Sequence, residues 1–549
     1  MSRIGMDTLK SIFGRTADKP EKHQGSGYGK IPDLHYFYGD MRGIQTYYDY
    51  RAEKGLDEFL IDDITWDDLS MDDVFKRLNQ GRSTSGEQYL YYMLRSPAVK
   101  KEEYDKRRDM LEVIEKNPDL RVKLQGIFTK LGRRRAANTC EAFSPSVHGL
   151  ERMFLYLLLV LGLLGTGVSL AFTTAAIAPF LLLLVFIPVY HEFTANRIEA
   201  ELATVNYSAA MVHAQKKIKK LASPELDRQL ASFYEAGKRL KPISRIGGVS
   251  RGSTSNDMSN VIIGILNNLL LFDLISYELL KNRLGKYHDE IFRVHEHLGR
   301  IDAAIAVASY RKSLAGYAEP QIDFSPSAEV RFRGENLVHP LIRDAVPNSI
   351  DIKHSLLVTG SNASGKSVFL KTAAINAILA QGICTALCDE YSATAFRILS
   401  SMAIADNLLA GESYYIAEIK SLKRIADAAV AEYPALCVID EVLRGTNTVE
   451  RISASSELLF EFAGGTTLCF AATHDIELCT MLEGRYRLLH FEETVTGGGE
   501  VLFDYRVKPG PATSRNALKL LRSIGFDSRV VDRADEKANR YIAAGRWQE

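Results

Sequence analysis

Apolar and polar residues alternate in different ways along this chain. From Ile61 to Ile127 apolar positions recur at helical spacing, with polar residues between them. Asp67 to Phe75 carries a helix start, Ser70 followed by acids in the first turn. A glycine-broken connector, Leu78 to Gly86, leads to two further amphipathic helices, Glu87 to Leu94 and Lys101 to Ile127. Residues 1–59 are polar and aromatic-rich, with breaks at Gly25-Ser26-Gly27 and Ile31-Pro32, and predict a tail followed by a short helical piece. Met1 to Lys30 is mixed in charge, so no signal peptide is expected there.

Met153 to Tyr190 breaks this pattern. It holds no Asp, Glu, Lys, Arg or His across 38 residues, and one bilayer crossing needs about 20 apolar residues. Gly162, Gly165 and Gly167 interrupt the first half, and Thr173, Thr174 and Pro179 lie near the middle. The pattern predicts a transmembrane hairpin, with spans at about 153–172 and 175–190 joined by a tight turn. Both ends of a hairpin face one side. Arg133, Arg134, Arg135 and Arg152 before it and Arg197 after it place those ends in the cytoplasm. A buried hairpin in a soluble domain is the alternative, but such helices usually keep a polar face, and Met153 to Leu164 has none. A re-entrant hairpin also stays open, because the second span is short and Pro188 lies near its end. Helical spacing resumes over Glu199 to Leu314. Within it Met258 to Leu280 is apolar but interrupted by Asp273 and Glu278, which predicts a buried helix and not a third span.

Composition narrows the partners only slightly. Lys+Arg and Asp+Glu both total 68 in 549 residues, so overall charge announces neither a nucleic acid nor an acidic partner. Two local clusters remain: Lys216, Lys217, Lys219 and Lys220, then Lys238, Arg239, Lys241, Arg245 and Arg251. They suit DNA phosphates or anionic headgroups beside the hairpin, although charge runs are most often solvated faces. The six cysteines, Cys140, Cys384, Cys388, Cys437, Cys469 and Cys479, are scattered and mostly in apolar runs, which suits buried thiols in a reducing compartment. Cys384 and Cys388 lack a His/Cys partner set, so no zinc site is read.

The chemistry concentrates near the C-terminus. Gly360-Ser361-Asn362-Ala363-Ser364-Gly365-Lys366-Ser367 fits G-x-x-x-x-G-K-[ST]. Ahead of it Ser355 to Val358 suits a buried strand, and behind it Val368 to Ala380 reads as an apolar helix. Strand, glycine turn and helix N-terminus make an anion site of backbone N–H groups. Lys366 would reach the β- and γ-phosphates of ATP and Ser367 would ligate Mg²⁺. Ala435 to Glu441 is an apolar strand ending in two carboxylates. Asp440 would hold Mg²⁺ through water and Glu441 would act as general base. Thr466 to His474 is another apolar strand, and a neutral His474 at its end would contact the γ-phosphate or its water. Between these strands Asp406 to Tyr415 is a small-residue turn opening a helix, suited to a second phosphate contact; in ABC-type ATPases such a segment serves the partner subunit's nucleotide.

Together these residues resemble the MutS family of DNA mismatch repair ATPases. The phosphate loop with its Asn362, the Asp440-Glu441-Val442-Leu443-Arg444-Gly445-Thr446 run and Ala472-Thr473-His474 look like that family's motifs. Gly411-Glu412-Ser413 resembles its trans-acting serine segment. His339-Pro340 and Val346-Pro347-Asn348 resemble its approach to the ATPase domain, and Tyr505 to Gly510 a strand near its end. Val74 to Leu94 is similar to the start of the family's core and lever domain. The resemblance covers residues 60–325 weakly and 326–549 strongly.

It implies an α/β ABC-type P-loop ATPase domain at 326–549, after a helical core and lever domain at 60–325 interrupted by the hairpin at about 153–190, with residues 1–59 as a tail. It further implies ATP and Mg²⁺ as cofactors and a homodimer with composite sites. In these, Lys366, Ser367, Asp440, Glu441 and His474 act in cis, Ser413 acts in trans, and His339 and Pro340 join the nucleotide-binding set. Departures limit the carry-over. About sixty residues precede the core, too few for the family's mismatch-reading domain, and Phe37-Tyr38-Gly39-Asp40 does not match its Phe-x-Glu motif. Tyr414 stands where the family has Thr, Asn407 where it has Asp, and soluble members have no hairpin. The expected function is a membrane-anchored ATPase with ATP-dependent DNA binding. The alternative is a membrane-tethered switch acting on a protein or lipid partner.

Overall fold

The computed structural model describes residues 27–37, 39–134, 137, 149–221, 223–240, 265–325, 329–361, 364–402, 414–429, 433–444, 446–495, 501–512, 518, 521–522 and 524–544. The early helices are α1 (Asp40–Glu53), α2 (Asp63–Asp68), α3 (Met71–Leu78), α4 (Thr84–Arg95), α5 (Lys101–Lys116) and α6 (Pro118–Leu131). The middle helices are α7 (Gly149–Ser169), α8 (Ile177–Arg197), α9 (Glu199–Lys219), α10 (Pro224–Gln229), α11 (Ala231–Arg239), α12 (Phe272–Lys286) and α13 (His288–Ser313). Two compact units result. The first takes residues 1–56, 78–92 and 109–313, and the second 57–77, 93–108 and 314–549, so the division falls inside α4 and α5.

The first unit is helical and centred on α13, whose side chains from Ile291 to Arg311 are largely buried. Close approach to α13 is made possible by glycine: a Cβ at Gly86 would sit 2.1 Å from Asp302 Oδ2. That carboxylate accepts from Arg82 N–H at 2.9 Å, Ser83 N–H at 2.8 Å and the Ser83 hydroxyl at 2.6 Å. It thereby holds the backbone donors just ahead of α4, which no helical carbonyl reaches. Complete burial still pushes the Asp302 carboxyl up to about 6.

The hairpin belongs to this unit. Helices α7 and α8 are joined through a short 3-10 turn at Thr174–Ala176, and Pro188 lies inside α8. The two are long and apolar enough to cross a membrane, and only 11% and 17% of their apolar stretches is buried. Phe154, Leu158, Leu161, Leu182 and Phe193 are exposed, and Phe172 is 85% exposed. Helix α12 packs on α7. His191 Nε2 lies 2.8 Å from Asp273 Oδ2, and Lys281 Nζ donates to Glu201 at 2.9 Å. The apolar stretch expected to form a buried helix is buried only in part. Leu271, Leu274 and Tyr277 face inward, but Ile265, Leu266, Phe272 and Leu279 are exposed. Its two carboxylates turn to the packed side, where Asp273 finds His191 and Glu278 is buried, which leaves the apolar side outward.

The second unit is α/β. Its strands are β1 (Gln321–Asp323), β2 (Phe332–Leu337), β3 (Asn348–Ile352), β4 (Ser355–Thr359), β5 (Glu390–Thr394), β6 (Arg397–Ser401), β7 (Ala435–Asp440), β8 (Thr467–Thr473), β9 (Tyr486–His490), β10 (Glu493–Val495), β11 (Val501–Phe503) and β12 (Lys508–Pro509). Helices α14 (Lys366–Ile383), α15 (Tyr414–Ala429), α16 (Thr448–Phe462), α17 (Glu477–Met481) and α18 (Ser528–Ala544) complete it. A six-stranded sheet runs β12-β9-β4-β8-β7-β6, parallel except for β12. β4 and β8 are buried along their whole length, as parallel strands covered on both faces must be. A smaller sheet runs β1-β5-β2-β3, and β10 pairs with β11. Cys384, Cys388, Cys437, Cys469 and Cys479 are buried and unbridged.

The β6 edge of the large sheet is covered by α2. Asp68 Oδ2 accepts from the Ser400 hydroxyl at 2.6 Å and Met402 N–H at 2.9 Å, and Ser400 N–H donates to Thr65 Oγ1 at 3.1 Å. Arg424 of α15 bonds Asp62 and lies 3.1 Å from Thr65 Oγ1. An open edge would otherwise present unpaired backbone groups.

Candidate active site

The sheet order puts the motif strands side by side. β4, which feeds the phosphate loop, lies beside β8, and β8 beside β7. The strand ends bearing Thr359, Thr473 and Asp440 therefore share one edge, the carboxyl edge where open α/β sheets bind ligands. Gly360 has φ +139° and Gly365 has φ +108°, and a Cβ at Gly360 would lie 2.7 Å from the Phe491 carbonyl. Only glycine fits the first of these positions. Asn362 and Ala363 lie outside the described residues, as do Ser413 and Gly445.

Lys366 is buried at the start of α14 and donates to the carbonyls of Gly360 and Ser361, both at 2.8 Å. Burial lowers its pKa, while Asp440, Glu441 and Glu493 pull it back up. Ser367 Oγ donates to Asp440 Oδ2 at 2.5 Å. Ser361 Oγ donates to the buried Glu493 at 2.9 Å. Ser364 Oγ is buried with no hydrogen-bond partner among the described residues, which fits a loop built to meet oxygen atoms that the protein does not supply.

Beyond β7 the backbone turns through two left-handed non-glycine residues, Glu441 at φ 60° and Leu443 at φ 57°. This turn aims Glu441 across the strand ends. Its Oε1 accepts from His474 Nε2–H at 2.7 Å and its Oε2 from Arg444 Nε–H at 2.8 Å. The bond from His474, then the charges of Arg444 and Lys366, hold the Glu441 carboxyl below its ordinary range although burial opposes them. Lys366 Nζ lies 3.5 Å from His474 Nε2. Asp475 and Arg451 of α16 pair at 3.1 and 2.6 Å, next to His474. Glu418 of α15 accepts from Arg444 N–H at 3.3 Å.

The structure thus gathers Gly360, Ser361, Ser364, Gly365, Lys366, Ser367, Asp440, Glu441 and His474 at one edge. His339 and Pro340 follow the end of β2 instead. His339 Nδ1 accepts from Leu341 N–H at 3.3 Å, and no hydrogen bond joins either residue to the loop among the described residues. Burial, with Lys371 nearby, lowers His339 to about 4. Sequence reasoning did not find Glu493, Glu418 or the role of Arg444. Glu493 and Glu418 act through contacts between residues far apart in the chain, whereas Arg444 lies inside the Asp440–Thr446 run and meets Glu441 three residues away.

The donor set fits the cofactors. Ser367 and Asp440 offer two hard oxygen ligands already within hydrogen-bond distance, the kind of partial shell that Mg²⁺ completes with phosphate and water. Among the described residues no group of three or more His, Cys, Asp or Glu forms a metal cage.

Residues 356–541 match MutS domain V. Over this C-terminal stretch the chain is MutS-like. It is 28% identical over 262 residues to the DNA mismatch repair protein MutS of Thermus caldophilus, covering 46% of this chain and 31% of that protein. Against the same-named protein of Natronomonas pharaonis it is 29% identical over 278 residues, 47% of this chain and 31% of the relative. For that of Thermosipho melanesiensis it is 30% over 270 residues, with shares of 47% and 32%. The chain spans about a third of the length of the relatives it matches. MutS proteins are ATPases, and the likeness carries that property at the level of the family.

Proposed function

We propose that this MutS-like chain binds and hydrolyses ATP, works as a dimer with composite sites completed by Ser413 in trans, and is held at a membrane by residues 153–190. Its soluble parts face the cytoplasm, and nucleotide-dependent closure acts on DNA. The observation that carries the reading is Glu441, held ionised between His474 and Arg444 beside the Ser367–Asp440 pair.

Phosphoryl transfer asks the protein mainly for position and charge. Lys366 exchanges its loop carbonyls for phosphate oxygens, and Ser364 offers its hydroxyl to the same group. Ser367 and Asp440 would hold Mg²⁺, which when bound supplies charge neutralisation at the phosphates. Glu441 orients a water and takes its proton, and His474 fixes the carboxylate's direction. His339 and Pro340 enter the proposed nucleotide-binding set only by resemblance to the family. Glu441→Gln is expected to keep ATP binding and lose turnover by at least about a hundredfold. Hydrolysis at parental rate would remove Glu441 from the base role.

Membrane attachment is supported by the outward apolar faces of α7 and α8, whose exposed side chains lie contiguously along two helices long enough to span a bilayer. Sedimentation with vesicles in the absence of detergent tests it. For DNA, the exposed Lys216, Lys217, Lys219 and Lys220 at the end of α9 are the support. The even charge balance favours the second reading, a switch acting on a protein or lipid partner. DNA retention with and without ATP across a salt series separates them, since phosphate contacts weaken steeply as salt rises.

A further inference from the structure

Helix α15 begins at Tyr414, and one turn in it buries a carboxylate that the mechanism above does not use. Glu418 is 3% exposed. Its Oε1 accepts from the backbone N–H of Arg444 at 3.3 Å. Its Oε2 is buried with no hydrogen-bond partner among the described residues. The group it holds belongs to the turn that carries Glu441. That turn has two non-glycine residues in the left-handed region, a conformation each adopts at a cost. Its other ties are the Glu441 N–H to the Ala472 carbonyl at 2.9 Å, Arg444 Nη2 to the Asp440 carbonyl at 2.8 Å and Ser455 Oγ to the Val442 carbonyl at 3.2 Å. None of those three engages the Arg444 N–H.

We propose that Glu418 is a positioning residue for ATP hydrolysis: by accepting the backbone N–H of Arg444 it holds the left-handed turn that aims the Glu441 carboxylate. It touches neither nucleotide nor water. Without that acceptor the turn has an open route to relax toward ordinary φ values, and Glu441 Oε2 and Arg444 move together, since they share a 2.8 Å bond. A displacement of about 1 Å in a catalytic group costs on the order of a hundredfold in rate. Burial also raises the Glu418 pKa, so a neutral amide is a close substitute there, with its carbonyl oxygen in the place of Oε1.

This rests on the ATPase reading, and the experiment separates the two. Steady-state hydrolysis, nucleotide-binding stoichiometry and thermal unfolding are measured on the full chain for the parent, Glu418→Ala and Glu418→Gln. The expected result is a kcat per bound nucleotide about ten- to a hundredfold lower in Glu418→Ala, with KM within about threefold of the parent and Glu418→Gln restoring most of the rate. A merely structural role would lower the fraction of chains that bind nucleotide and leave kcat per bound nucleotide unchanged; that result overturns the proposal. So does a Glu418→Gln variant as slow as Glu418→Ala. If the parent binds nucleotide yet does not hydrolyse it, the ATPase reading fails instead.

Discussion

Asp68→Ala tests whether α2 is an integral part of the second unit. In the parent the Asp68 carboxylate is buried and one oxygen accepts both the Ser400 hydroxyl and the Met402 N–H, at 2.6 and 2.9 Å. Hydrogen bonds to a charged group are worth about 1.5–3 kcal/mol each, and the two here share an acceptor, so the sum is taken as about 3 kcal/mol. Trp66 reports the change locally. It lies in α2, is buried, donates to Asp72 at 2.8 Å and carries the Arg95 guanidinium 4.2 Å from its ring centre. The only other tryptophan is Trp547, so Trp547→Phe leaves a single fluorophore. With a urea slope of about 2 kcal/mol per molar, a loss of about 3 kcal/mol moves the Trp66 transition down by about 1.5 M. Asp68→Asn keeps an acceptor oxygen and is expected to shift it by about 0.5 M or less. A Trp66 midpoint for Asp68→Ala within about 0.5 M of the parent would refute the reasoning.

Two other perturbations follow from buried groups. Asp302 has its folded pKa raised from 3.8 to about 6, so its contribution to stability is fully present below about pH 4 and is lost as pH rises through about 6. The stability of the parent relative to Asp302→Asn should therefore fall by about 2 kcal/mol between pH 4 and 7, measured by thermal unfolding of both, and a flat difference would count against the assignment. Ser364→Ala removes a buried hydroxyl that has no protein partner; melting temperature should hold or rise slightly, while ATP affinity by titration falls about fivefold, the equivalent of ~1 kcal/mol.

What was legible in the sequence was local. The phosphate loop, the Asp440-Glu441 strand and His474 each lie within a run of ten residues whose apolar flanks announce a buried strand, and the sheet places all three at one edge. What escaped was non-local. Glu493 meets Ser361 across 132 residues of chain, and Glu418 meets Arg444 across 26. No periodicity encodes either contact. The stretch around Asp273 shows a different failure. Two carboxylates in an apolar run argued for a buried helix and not a third span, and Asp273 is met by His191 from α8. The charge is absorbed on one side while Ile265 and Phe272 face outward. Helix α2 was read with the helical region, and the packing groups it with the C-terminal strands.

That grouping sets an order of events during synthesis. Residues 57–77 leave the ribosome early, but the strand whose edge they cover begins at Arg397, 320 residues after position 77 (397 − 77). At about 5–20 residues per second that is a wait of roughly 15–65 s, during which Asp68 and Thr65 lack the Ser400 and Met402 groups they bind in the folded unit. The C-terminal unit is therefore not a contiguous translational module: its β6 edge is closed by a segment made long before it. A fragment begun at residue 326 would emerge with that edge bare and offer it to the next copy of itself.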